Sequence, residues 1–146
     1  MIRQACLNDL DAVVPLFDAY RVFYGQESDP QLARAFLLDR FRNRQSVIFI
    51  AGADEVLLGF TQLYPSYSSV RCAQKLILND LFVAVDARGK GVAQELIKAA
   101  ANYAKSIGAI GLSLITANEN LEAQRLYEKT GWIRETIFQS YNLEVK

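Results

Sequence analysis

The stretch that most constrains the fold runs from Leu76 to Tyr103, because its pattern changes period halfway along. From Leu76 to Val85 (Leu-Ile-Leu-Asn-Asp-Leu-Phe-Val-Ala-Val) nearly every residue is apolar, with Asn79 and Asp80 the exceptions. A run of that length and β-branched content suits a strand covered on both faces. From Val92 onward, Leu96, Ala99, Ala100, Tyr103, Ala104 and Ile107 recur at spacings of three and four, which is an amphipathic helix. Between the two lies Arg88-Gly89-Lys90-Gly91-Val92-Ala93, with two glycines where the helix begins. The first N–H groups of a helix have no partner within it, and the dipole there favours negative charge. Arg88 and Lys90 add two cations, so the turn suits a phosphate or pyrophosphate group. A plain strand-to-helix turn with solvated cations is the competing reading.

Spacing removes two familiar phosphate loops. A dinucleotide fingerprint needs Gly-x-Gly-x-x-Gly, and the residue three after Gly91 is Gln94. A Walker A loop needs Gly-Lys-Ser/Thr after four intervening residues, and this sequence lacks it.

A second stretch narrows the choice. In Gly111-Leu-Ser-Leu-Ile-Thr-Ala-Asn-Glu-Asn-Leu-Glu-Ala-Gln-Arg-Leu-Tyr-Glu-Lys-Thr-Gly-Trp, Leu112, Leu114 and Ile115 make a short strand. Asn118 and Asn120 are good residues to begin a helix, since a side-chain oxygen there accepts from free N–H groups. Ala123, Leu126, Tyr127 and Thr130 share one helical face, and Gly131 suits the helix end.

Together the two stretches resemble the GNAT superfamily of acyl-CoA-dependent N-acyltransferases. Arg88 to Ala93 matches its Arg/Gln-x-x-Gly-x-Gly/Ala loop. Asn120 to Trp132 matches its Asn-x-x-Ala-x-x-Leu-Tyr-Glu-x-x-Gly-Phe segment, with Trp132 in place of Phe. The resemblance implies an α+β fold: a mixed, mostly antiparallel sheet of about seven strands with helices on both faces. In that fold the strand holding Asn79 to Val85 and the strand holding Leu112 to Thr116 run parallel but splay apart. Acetyl-CoA is the implied co-substrate, with no metal. Backbone groups of Leu81, Phe82 and Val83 are expected to contact pantetheine. Arg88, Gly89, Lys90, Gly91, Val92 and Ala93 are expected to hold pyrophosphate, and Asn118, Asn120 and Tyr127 to reach the CoA arm. The implied function is acetyl transfer to a primary amine of a small molecule or peptide, by direct attack in a ternary complex. The alternative is a CoA-binding module with little turnover.

Length and composition agree with one domain spanning 1–146. At 146 residues a chain buries roughly 68–70% of the surface it exposes when unfolded, ample for a core without metal or disulfide. Lys+Arg and Asp+Glu balance at 16 each, so no basic field argues for nucleic acid. No apolar stretch suggests a signal peptide or a membrane span. Cys6 and Cys72 read as reduced thiols, which favours a cytoplasmic location. The absence of histidine removes His-based triads and most zinc sites.

Taken in order, Met1 to Ala5 is a short strand, and Asn8 or Asp9 should cap a helix that Pro15 kinks or restarts. A second helix is expected from about Gln31 to Arg44. Ser46 to Ala53 and Val56 to Tyr64 read as hairpin strands, and Pro65 to Ala73 as a serine-rich loop. The last strands are expected near Trp132 to Thr136 and Phe138 to Val145. Their apolar residues, near a sheet edge, would favour a homodimer.

Transfer to an amine makes two demands. An alkyl ammonium loses its proton about 3.4 units above pH 7, a cost of roughly 4.6 kcal/mol, so a base or a water chain must take it. Without histidine, that base is a carboxylate, a tyrosinate or an ordered water. Asp80 is the leading side chain, because a charge in an otherwise apolar strand calls for an explanation; pairing with a cation or with backbone donors would be the structural one. Leu78 to Val83 looks most like the diamine and polyamine acetyltransferases, which carry Glu-Asp here. Asn79 stands where their proposed catalytic glutamate lies, so it can orient a water or an amine but cannot be a base. The second demand is the leaving thiolate, for which the family pattern makes Tyr127 the acid. Tyr20 and Tyr24, at the end of the first helix, with Tyr64 and Tyr67 from the loop before the organising strand, are candidates to hold a cationic acceptor.

Overall fold

The computed structural model describes residues Met1–Lys146, which divide into two compact units, Met1–Ile115 and Thr116–Lys146. In the first unit five strands lie in sequence order: β1 (Ile2–Gln4), β2 (Val47–Ala53), β3 (Val56–Ser68), β4 (Ala73–Val83) and β5 (Leu112–Ser113). β1 to β4 pair antiparallel, and β4 pairs parallel with β5. Three helices accompany them: α1 (Leu10–Phe23), α2 (Pro30–Arg42) and α3 (Val92–Ser106).

Apolar spacing decides what each helix covers. Leu10, Val13, Val14 and Phe17 of α1 and Ala33 and Leu37 of α2 pack with Ile48, Ile50, Phe60 and Phe82 on one sheet face. Leu96 of α3 packs with Ala51 and Val83 on the other. Burying a large apolar side chain of this kind contributes about 1.5–3 kcal/mol, so these two layers supply the main cohesion of the unit. α3 approaches closely because Gly59 has no side chain. A Cβ there would lie 2.9 Å from the Phe82 carbonyl oxygen and 3.3 Å from a Leu96 methyl.

Three local expectations need correction. α1 does not restart at Pro15 but runs through it as one helix; Pro15 and Asp11, whose carbonyl it leaves without an intrahelical donor, both face solvent. Asp9 occupies the N-cap position of α1 but makes no cap bond. Its carboxylate instead accepts from Cys6 N–H at 2.8 Å and pairs with Arg3 through two bonds of 2.7 and 2.8 Å. The loop expected from Pro65 to Ala73 shrinks to a turn at residues 69–72, since β3 pairs with β4 as far as Ser68 opposite Ala73. Proline is tolerated there because β2 stops pairing at Val47 opposite Leu63, so at Pro65 one edge of β3 needs no donor.

In the second unit, α4 (Leu121–Lys129) is capped by Asn120, whose side chain accepts from Ala123 N–H at 3.1 Å. It ends at Gly131, with φ of 96°, where the Trp132 N–H bonds to the Tyr127 carbonyl at 3.0 Å. Beyond it the chain forms no strand, so the sheet has five strands rather than about seven. One physical reason is local. The Glu135 carboxylate accepts from the N–H groups of Ile137 and Phe138, at 2.8 and 3.4 Å, donors that a ladder would otherwise use.

Candidate active site

The site begins with a fault in strand pairing. Gln62 stands opposite Asp80, yet the next residue, Leu63, stands opposite Leu78, so Asn79 is an extra residue in β4. A bulge of this kind bends a strand and re-aims its side chains. Gln62 and Leu63 are consecutive and face opposite ways. Leu78 therefore shares the face of Leu63, while Asp80 shares that of Gln62. Regular alternation would have kept Leu78 and Asp80 on one face; the bulge turns Asp80 and Phe82 towards α1 and α2 instead.

Asp80 is 2% exposed, and each carboxylate oxygen accepts from an amide. Gln62 Nε2 donates to Oδ2 at 2.5 Å and Asn79 Nδ2 to Oδ1 at 2.7 Å. Thr61 Oγ1 holds the Asp80 carbonyl at 2.7 Å. The Tyr20 hydroxyl donates to the Asn79 carbonyl at 3.3 Å and also lies close enough to steady the Asp80 carboxylate. Burial pushes the Asp80 carboxyl above the usual range, against the pull of its Asn79, Gln62 and Tyr20 donors. The two ion pairs, Arg3–Asp9 and Arg34–Asp11, lie elsewhere.

The tyrosines divide sharply. Tyr20 stacks edgewise on Phe60 at 5.8 Å and Phe82 at 6.1 Å, with Tyr24 edgewise on it at 5.1 Å. Burial first, then the Asp80 charge, drives the Tyr20 hydroxyl well above the normal tyrosine range. The same two causes push Tyr64 up to about 12, with Arg40 working in the opposite direction. Both hydroxyls are protonated at neutral pH, so neither supplies a tyrosinate base. Tyr67 does not join them. It is 73% exposed and lies three residues after Tyr64 on β3, hence on the other face.

Beside this cluster the sheet opens. β5 pairs with β4 only at Leu76–Leu112 and Ile77–Ser113, while β4 continues to Val83. From Leu78 to Val83 the edge of β4 away from β3 is outside the ladder, and Leu81, Phe82 and Val83 lie along it. β4 leads through a 3-10 turn at Val85–Ala87 into the glycine turn. Gly89 and Gly91 have φ of 75° and 81°, values that a side chain makes costly. Gly91 is the N-cap of α3 and offers no capping side chain. The first bond of the helix runs from Glu95 N–H to the Gly91 carbonyl, at 3.1 Å. The N–H groups of Val92, Ala93 and Gln94 precede that ladder, as an anion site requires. Lys90 is exposed. Arg88 behaves differently from a free cation: its Nε donates to the Val83 carbonyl at 2.9 Å, and its guanidinium lies 5.4 Å from the Phe82 ring centre. It fastens the turn to the end of β4, leaving its terminal N–H groups for a ligand.

In the second unit, Asn118 is exposed, and its carbonyl accepts from Gln124 Nε2 at 3.0 Å. The Asn120 side chain is engaged as the helix cap. Tyr127 is half-buried, its ring 5.9 Å from Trp132.

Sequence reading misses Gln62, Ser46, Thr61 and Arg40. Thr61-Gln62 is a polar pair inside an apolar strand, the same signal that marks Asp80. Ser46 and Arg40 carry no local signal, because only the folded register brings them near.

Comparison with known proteins agrees with this geometry. Residues 11–132 match the Acetyltransferase (GNAT) family profile. The chain is 49% identical over 144 residues to the protein called "Uncharacterized N-acetyltransferase YhfO" of Bacillus subtilis (strain 168), covering 99% of this chain and 97% of that one. A crystal structure of a probable acetyltransferase superposes with a TM-score of 0.94 at 42% identity, over 100% of this chain and 98% of its own. An aminoglycoside N-acetyltransferase solved in complex with CoA, at 23% identity, shares the fold with a TM-score of 0.80, over 99% of this chain and 95% of its own.

Proposed function

The chain belongs to the GNAT acetyltransferase family, and from that premise we propose that it transfers an acetyl group from acetyl-CoA to a primary amine of a small molecule or peptide, by direct attack within a ternary complex. The observation that carries the reading is Asp80: a buried carboxylate, turned by a bulge to the helix face, on the strand whose free edge leads to an uncapped glycine turn.

The chemistry follows from the groups present. The pyrophosphate of acetyl-CoA is assigned to the N–H groups at the start of α3, with Lys90 and the outer donors of Arg88 beside it. Pantetheine is assigned to the open edge at Leu81 to Val83, in the manner of an added strand. Asp80 takes a proton from the acceptor ammonium. Its raised pKa brings it nearer the working pH, where a general base is most effective. The freed nitrogen attacks the thioester carbonyl carbon, the C–S bond breaks, the nitrogen gives up its second proton to solvent, and the thiolate leaves with a proton whose donor regains it from solvent. That proton is assigned to Tyr127 by the family pattern. A thiol near 8.5 is more acidic than tyrosine near 10, so complete transfer is uphill by about 2 kcal/mol, and a strengthening hydrogen bond is the easier role. Tyr20, Tyr24 and Tyr64 offer ring faces and hydroxyls to a cationic acceptor.

Incubation with acetyl-CoA and a panel of primary amines, read by mass spectrometry, tests this directly. An acetylated amine above the uncatalysed background is expected. Tight CoA binding with only thioester hydrolysis would point instead to an acyl-CoA-binding module.

A further inference from the structure

The bulge explains where Asp80 points but not why its two amide neighbours face it with nitrogen rather than oxygen. A buried amide has a donor end and an acceptor end, and only its other partner decides which faces inward. For Gln62 that partner is Ser46, whose hydroxyl donates to Oε1 at 2.8 Å while Nε2 donates to Asp80. Gln62 is 0% exposed, so bulk water does not compete for either bond. Ser46 lies two residues before Ile48, which pairs opposite Gln62, and Gln62 in turn pairs opposite Asp80. Gln62 and Asp80 thus stand opposite each other on neighbouring strands, and Ser46, just before β2, reaches the far end of the Gln62 amide.

We infer that Gln62 is a positioning residue for Asp80, held by Ser46 so that an N–H, never a carbonyl, meets the carboxylate. This rests on the role proposed for Asp80 above. The reversed amide would set Oε1 against a carboxylate oxygen, a contact that repels unless Asp80 carries a proton. Ser46 donating, Gln62 donating and Asp80 ionised form one self-consistent state. With one amide on each oxygen, Asp80 keeps lone pairs free for the acceptor's proton. Gln62 thereby does at Asp80 what a paired cation does elsewhere, without placing a second charge that would repel an ammonium substrate.

The other groups facing Asp80 stay fixed in the test. Tyr20 comes from α1 with Tyr24 behind it, and Tyr64 from β3 with the charge of Arg40 behind it. α3 covers the opposite face with Glu95 and Lys98 exposed, and Leu112 and Ser113 of β5 do not titrate.

The experiment measures the Asp80 carboxyl titration by carbon-detected NMR and the acid limb of kcat/KM in wild type, Gln62→Met, Ser46→Ala and Ser46→Thr. Gln62→Met keeps the volume and removes the donor, so both readouts should move up by about one to two pH units. Ser46→Ala should move them the same way by a few tenths of a unit, roughly the share one bond lends its neighbour, and Ser46→Thr should restore them. An unmoved Asp80 titration in folded Gln62→Met overturns the inference. If that variant does not fold, an unmoved titration in Ser46→Ala overturns it equally. A titration that moves while the kinetic limb stays put upholds Gln62 as positioning Asp80 and removes Asp80 from the base role.

Discussion

At Asp80 burial and hydrogen bonding act against each other, and burial prevails. A raised carboxyl pKa means that the folded state holds its proton more tightly than the unfolded chain does. Its contribution to stability is complete below the ordinary carboxylate value and is lost as pH rises through the folded value. Asp80→Asn should remove that decline from the stability-versus-pH curve and, in the kinetics, abolish the acid limb of kcat/KM along with most of the rate. Persistence of the limb in a folded Asp80→Asn variant would assign the proton to water. Asp9 carries the opposite sign. Its bonds with Arg3 hold it well below the usual range, so its contribution exists above pH ~4 and is lost on acidification. Because the pair is partly solvated, with Arg3 45% exposed, Asp9→Asn should cost only about 0.5–1 kcal/mol near neutrality and nothing in strong acid, as urea unfolding at two pH values would show. Sequence marks Asp80 because a charge interrupts an apolar strand. It cannot mark Ser46, whose partner lies sixteen residues away across a strand pair.

Among the elements, the strand, glycine turn and α3 are the most legible, because the change of period from two to 3.6 is written in consecutive residues. β3 and β4 are longer than their apolar runs suggest, since Pro65, Ser66 and Lys75 are accommodated where β3 has a neighbour on one side only. The bulge at Asn79 is invisible beforehand, because an extra residue shows only against its partner strand. Two glycines separate turn chemistry from packing. At Gly91 a Cβ meets open space, but φ of 81° is hostile to a branched side chain. Gly91→Val should therefore distort the start of α3 and weaken CoA binding at least about tenfold, which is about 1.4 kcal/mol by calorimetry. Unchanged affinity would move the pyrophosphate elsewhere. At Gly59 φ is ordinary but space is absent, so Gly59→Ala should push β3 and α3 apart and cost about 1–3 kcal/mol in denaturant unfolding. A neutral result would mean that the contact with Phe82 and Leu96 yields easily.

For the molecule as a whole, composition sets boundaries and the two motifs set the family. The absence of histidine narrows the proton acceptor to a carboxylate, a tyrosinate or water, and no helix is long and apolar enough to cross a membrane. The glycine turn and the Asn120 to Trp132 segment are short and local, so they are readable in the chain. The polar cluster around Asp80 is assembled from α1, the end of α2, β3 and the bulge of β4, whose residues meet only after folding; that is why Tyr67 is misplaced and Gln62 missed. The central claim is that acetyl-CoA and amine occupy the protein together and react directly. Initial rates measured over a matrix of acetyl-CoA and amine concentrations test it most plainly. Intersecting double-reciprocal lines, with no acetyl group retained on the protein, are the predicted result. Parallel lines with an acetylated protein, the mark of a covalent intermediate, would contradict it.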